Sequence, residues 1–138
     1  NKYVAEFIGS PGMNLLKGAI LPSDKPMFKL DGEWSESPDL SNYKFQESIK
    51  AETQIWLGIR PESVAVGGEV KNMPVNFSLE VEVIEPMGAD TLVWSQIDGQ
   101  EFRFMVDGNT SVDVGDRVTV GFDPAHASIF DFDNEERL

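Results

Sequence analysis

The sequence predicts an all-β protein: a small antiparallel barrel, or two small barrels sharing strands, with a short helix at its N-terminus. Three observations lead there. Several short stretches alternate apolar and polar residues with period two, as half-buried strands do. Turn residues, above all Gly and Pro, interrupt the chain at short intervals. Only one stretch, Lys2 to Ile8, has helical spacing.

In that first stretch Tyr3, Val4, Phe7 and Ile8 form one apolar stripe over about two turns. A helix so short must dock on something, which makes the stripe a candidate contact with the barrel or with a second chain. Gly9 and Pro11 then break the helix, and a strand is expected from Met13 to Ile20. From Pro22 to Thr53 prolines and serines dominate, and only Met27 to Leu30, ending at the Asp31-Gly32 turn, reads as a strand. The isolated aromatics Trp34, Tyr43 and Phe45 are suited to pinning this stretch onto the barrel.

Ile55 to Ile59 is the next strand, stopped by Pro61. Gly67-Gly68 reads as a bend. The clearest alternation runs through Phe77, Leu79, Val81 and Val83, and the strand is expected to bend or end at Ile84 to Gly88. Thr91 to Ile97, the Asp98-Gly99 dipeptide and Gln100 to Val106 predict a hairpin with a type I′ turn. On its return strand Phe102, Phe104 and Val106 share one face, and Glu101, Arg103 and Met105 the other. Val114-Gly115-Asp116 is a further turn, Arg117 to Phe122 a strand, Asp123 to His126 its cap, and Ser128 to Phe132 the last strand before an acidic tail.

Composition bounds the function. The 138 residues suffice for one domain, and 41% apolar residues suffice for a core. A formal charge of -13 repels phosphate backbones and anionic lipid, which argues against nucleic acid and membrane surfaces as partners. No apolar run approaches the roughly 18 residues of a spanning helix. The lack of cysteine excludes thiol chemistry and disulfides and agrees with a reducing compartment. The sequence opens at Asn1 without an initiator methionine, which suggests a piece of a longer protein.

Catalytic and metal-binding readings are weak. Glu80 and Glu82 lie on one strand face but read as a solvated surface. Asp131, Asp133 and Glu135 imitate the start of a calcium loop without its glycine or its terminal bidentate glutamate. A single histidine, His126, in a turn does not build a zinc site or a triad. No Gly-x-x-x-x-Gly-Lys-Ser/Thr loop is present, so this chain has nothing with which to cradle a nucleotide. Trp94, Phe102 and Phe104 could stack bases, but with few cations beside them they read as packing residues.

Several co-linear blocks carry a resemblance. Phe7, Ile8, Gly9, Ser10, Pro11, Met13 and Asn14 are similar to a Phe-x-Gly-Ser-Pro-x-Met-Asn motif. Leu57-Gly58-Ile59-Arg60-Pro61-Glu62 matches a Leu-Gly-Ile-Arg-Pro-Glu motif throughout, and Val83 to Thr91 resembles a Val-x-Glu-x-x-Gly-x-Glu-Thr block with Asp90 for the glutamate. Ser63 replaces a common histidine, and Ser128-Ile129-Phe130-Asp131 and Asn134-Glu135 depart from a His-Leu-Phe-Asp block followed by Thr-Gly. Together these blocks resemble the C-terminal regulatory domain, of the transport-associated OB-type (TOBE) class, of the ATPase subunit of sugar-type ABC importers, the maltose and glycerol-3-phosphate group.

The resemblance implies that residues 1–138 are one non-catalytic regulatory unit. ATP and magnesium would be held by a nucleotide-binding domain elsewhere in the parent. It implies a homodimer, membrane subunits reached through the parent ATPase, a possible regulatory protein or small effector, and a cytoplasmic place at the inner membrane. The candidate contact residues are then Phe7, Ile8, Gly9, Ser10, Pro11, Met13, Asn14, Arg60, Pro61 and Glu62. Two other classes compete: a stand-alone OB-type module for a small ligand or protein, and, more remotely, a carboxylate enzyme. Arg60, at the end of an apolar strand, is expected to be partly buried and to clamp the strand end through Glu62, Glu85 or Asp123; the alternative role is a contact to a partner.

Overall fold

The computed structural model describes residues 12–21, 25–34, 36–45, 52–133 and 136–138, which carry ten strands in three antiparallel sheets. The predicted helix at Lys2 to Ile8 lies outside the described residues. The first sheet orders its strands as β10 (Ser128–Asp131), β3 (Gln54–Ile59), β1 (Asn14–Leu21) and β2 (Met27–Leu30). The second places β9 (Arg117–Phe122) between β4 (Ala65–Val66) and β5 (Val75–Glu80). The third is a meander of β6 (Val83–Met87), β7 (Asp90–Ile97) and β8 (Gln100–Asp107). The all-β, OB-like architecture is the one expected.

Period-two patterning does most of the sorting. Along β1 every second residue is buried, and along β5 Val75, Phe77 and Leu79 point inward while Asn76, Ser78 and Glu80 point out. Phe77 sits where the sheets meet. Its ring stands 5.0 Å from Trp34, 5.7 Å from Phe102 and 6.2 Å from Phe122, all edge-on, so one residue ties a loop and two sheets together. Phe102 and Phe104 are fully buried, as their packing role requires.

The proline-rich stretch is pinned as its aromatics suggest. Pro38 and Pro26 carbonyls accept from Phe28 and Leu40 amides, laying residues 38–40 along β2. Tyr43 is buried, its hydroxyl accepting from the Ile129 amide at 3.3 Å and its ring 4.8 Å from Phe45. The Ser41 hydroxyl, then its amide, hydrogen-bonds Asp39, and this holds the Asp39 carboxyl below its ordinary pKa.

The alternation from Phe77 does not run on to Val83. The β5–β9 ladder ends at Glu80 opposite Arg117, and Val81 then exchanges backbone hydrogen bonds with Asp116 and Gly115 instead. This two-residue pivot carries the chain from the second sheet into the third. Val83 therefore lands on the outer side, 52% exposed, and Ile84 to Met87, expected to break the strand, continue in β6. Pro86 is tolerated there because β6 is an edge strand, whose outer side needs no N–H donor.

Candidate functional site

The start of β1 is held against β8 by side chains rather than by a backbone ladder. The Asn14 carboxamide donates to the Arg103 carbonyl at 2.7 Å and accepts from the Arg103 amide at 2.8 Å. Three residues along, Gln100 repeats the arrangement from the opposite strand. Its carboxamide accepts from the Lys17 amide at 2.8 Å and donates to the Lys17 carbonyl at 3.1 Å. Both bridges keep one antiparallel register, so two primary amides close the seam between the first and third sheets. An amide side chain carries the same donor and acceptor as a peptide group, so it can stand in for a strand partner across a wider gap.

Arg103 lies at this seam and is the buried cation among the described residues. It is 9% exposed; its guanidinium donates to the Met13 carbonyl at 3.1 Å, lies 3.7 Å from the Glu101 carboxylate and packs 5.3 Å from the centre of the Trp94 ring. Trp94 in turn donates from its indole N–H to Glu85 at 3.2 Å. Sequence alternation puts Arg103 on the face opposite Phe102 and Phe104, but alternation alone does not reveal that the end of β1 covers that face. The available signal was the Met13-Asn14 pair, a polar amide inside an apolar strand.

A groove of about 350 Å³ opens beside the seam. Pro61 and Glu62, in the 3₁₀ turn that follows β3, form one side; Met87 and Asp90, flanking the β6–β7 turn, form the other. Leu92, Arg103 and Met105 line it between them, and Gly12 reaches it from the start of β1. Met87 is 54% exposed, and Val83 on the same edge strand is 52% exposed.

Two separate sequence motifs thus converge on one place. Gly12, Pro61 and Glu62 line the groove, and Met13 and Asn14 hold the Arg103 beside it. Phe7, Ile8, Gly9, Ser10 and Pro11 lie outside the described residues. Arg60 does not match the expectation: it is exposed, and among the described residues no ion pair joins it to Glu62, Glu85 or Asp123. The reason is local. Arg60 has extended backbone (φ -73°, ψ 140°) just before the turn, where Pro61 takes the buried position and the arginine side chain is left facing water.

The groove combines apolar and acidic side chains. Methionines adapt their shape to a partner, and Glu62 and Asp90 add negative charge at the rim. Elsewhere, His126 is exposed in a 3₁₀ turn capped by the Asp123 carboxylate, and the Asp131 carboxylate accepts from the Asp133 amide. Among the described residues no three His, Cys, Asp or Glu side chains converge as metal ligands. No described helix is long and apolar enough to cross a membrane.

Comparison with known proteins agrees with the residue-level resemblance. The family described as TOBE domain matches residues 57–130, and that described as MalK OB fold domain matches residues 9–64. Over the whole chain the sequence is 32% identical to the ABC transporter ATP-binding protein YurJ of Bacillus subtilis and 30% identical to the oligosaccharides import ATP-binding protein MsmX of the same organism. It is 35% identical to the xylose/arabinose import ATP-binding protein XacK of Haloferax volcanii. The chain spans only 38%, 38% and 35% of the lengths of these relatives. Among solved structures, the molybdate-bound form of the cytoplasmic molybdate-binding protein ModG superposes with a TM-score of 0.63 over 84% of this chain and 94% of that one. At 12% identity that likeness concerns the fold alone. The TOBE match covers more than half of the chain and the alignment to ABC transporter ATP-binding proteins covers all of it: the chain belongs to the TOBE domain family.

Proposed function

We infer that this chain is the regulatory and subunit-pairing module of the ATP-binding subunit of a sugar-class ABC importer, and that it is not catalytic by itself. The observation that carries the reading is the convergence of the Met-Asn and Arg-Pro-Glu motifs on one groove with an exposed methionine, in a chain aligned end to end with sugar-import ATP-binding proteins. In this reading the groove face meets a second copy of the module. ATP and magnesium are bound by the nucleotide-binding domain of the parent, which meets the membrane subunits on the cytoplasmic side. A sugar or oligosaccharide is handled by other subunits.

Sedimentation equilibrium of the 138-residue chain, with and without Met87→Glu, tests this. The wild type is expected to associate reversibly and the variant to stay monomeric with an unchanged unfolding midpoint, since Met87 is exposed and contributes little to the core. A wild type that is purely monomeric at high micromolar concentration would remove the pairing role.

A further inference from the structure

A second groove lies on another part of the molecule and shares no lining residue with the first. It owes its existence to the shortness of β4. Ala65 and Val66 pair with Gly121 and Val120, and there the ladder stops, because Gly67 adopts φ +69° and turns the chain into a 3₁₀ segment, Gly67–Asn72. β9 continues for three more residues, Val118, Thr119 and Arg117, which remain paired to β5 on one side only. Alternate residues of an antiparallel strand turn both N–H and C=O to the same side, so this stretch presents unpaired backbone groups on the side that β4 leaves.

A cavity of about 620 Å³ adjoins this edge. Val66, Val106, Val112 and Val118 make its apolar lining, and Thr110 and Ser111 face β9 from the loop that follows β8. The edge and the cavity together have the form of a slot for one more strand: backbone donors and acceptors along one wall, apolar side chains beneath. Three residues of open edge correspond to about 10 Å of extended chain.

The charges around the slot select its occupant. Asp116 and Arg117 line the slot itself, and Asp107 and Asp113 lie at either end of the adjoining loop in sequence, within a chain of net charge -13. We propose that the β9 edge at Arg117–Thr119 is a strand-addition site for an extended peptide segment that alternates apolar and basic residues. The apolar side chains enter the valine-lined cavity, the basic ones face the acidic surface outside it, and the peptide backbone extends the β4-β9-β5 sheet where β4 ends. This site does not depend on the pairing surface at Met87.

The test is calorimetric titration of the chain with an acetylated, amidated hexapeptide alternating Lys and Val. Two isomers, N-methylated at all Lys or at all Val residues, have the same charge and composition. A strand-addition site uses the N–H groups of only one alternate set, so one isomer is expected to bind at least tenfold more weakly and the other to bind like the parent peptide. The Glu/Val counterpart is expected not to bind. Ser111→Trp, at an exposed loop position that leaves the core untouched, is expected to weaken the Lys/Val peptide at least tenfold. Saturating peptide is expected to slow amide exchange at Thr119 at least tenfold. Equal binding of both N-methyl isomers would reduce the interaction to charge attraction and overturn the proposal. So would undiminished binding to Ser111→Trp, or no binding by the wild type.

Discussion

Asn14 and Arg60 show how two residues of similar prominence in the sequence part company in the structure. Asn14 is 2% exposed and satisfies both the N–H and the C=O of Arg103. Truncating it strands two buried backbone groups and loosens the seam that positions the guanidinium. Asn14→Ala is therefore expected to cost about 2–4 kcal/mol, read from the shift of the urea midpoint. A loss under about 0.5 kcal/mol would mean that water replaces the amide without penalty. Arg60→Ala, by contrast, removes a side chain exposed to water and is expected to change stability by no more than about 0.5 kcal/mol in the same measurement. The clamp expected at Arg60 exists, but Arg103 provides it. A strand-end arginine and a mid-strand arginine differ in burial through what covers them, and the cover here comes from a strand nearly 90 residues away in sequence.

At the level of elements, local chemistry was readable wherever it was self-contained. The Asp98-Gly99 turn is an instance: both residues have positive φ, 46° and 85°, as a type I′ hairpin needs, and β7 and β8 pair in the register that this turn dictates. A Cβ on Gly99 would meet no atom within 4 Å, so any cost of Gly99→Ala is backbone strain alone. That substitution is expected to lower stability by about 1–2 kcal/mol, while Gly68→Ala, equally open and without positive φ, changes it little. Comparing the two chemical denaturation curves checks the assignment. Equal losses would show that the turn is not the constraint. What could not be read was the pivot at Val81-Glu82. Period two continues through Val83 in the sequence, but the chain changes sheets there, and hydrogen bonds to the 115–116 turn override the pattern. Of the candidate site, Met13, Asn14, Pro61 and Glu62 were visible as motif residues. Their convergence was not, because it depends on side-chain amides that replace a ladder between strands far apart in sequence.

For the whole molecule, charge and apolar surface act in opposite directions. Each copy carries -13, so the proposed pairing at the Met87 face would bring like charge together, with Glu62 and Asp90 lining the contact. On that proposal the gain on pairing would come from covering methionine and proline surface, with electrostatics opposing it. Salt separates the two contributions. Raising sodium chloride from about 50 mM to about 500 mM shortens the screening length severalfold and weakens the repulsion, while apolar contact is not screened. The dissociation constant for self-association is accordingly expected to fall, by roughly threefold or more, over that range. The same charge should keep single-stranded oligonucleotides off the surface at every salt concentration, despite the barrel's OB-like form, because few phosphate-bound counterions would be released. Sedimentation equilibrium across the salt series reads the pairing constant directly. A constant that rises with salt would mean that ion pairs, not the methionine-lined groove, hold the two copies together.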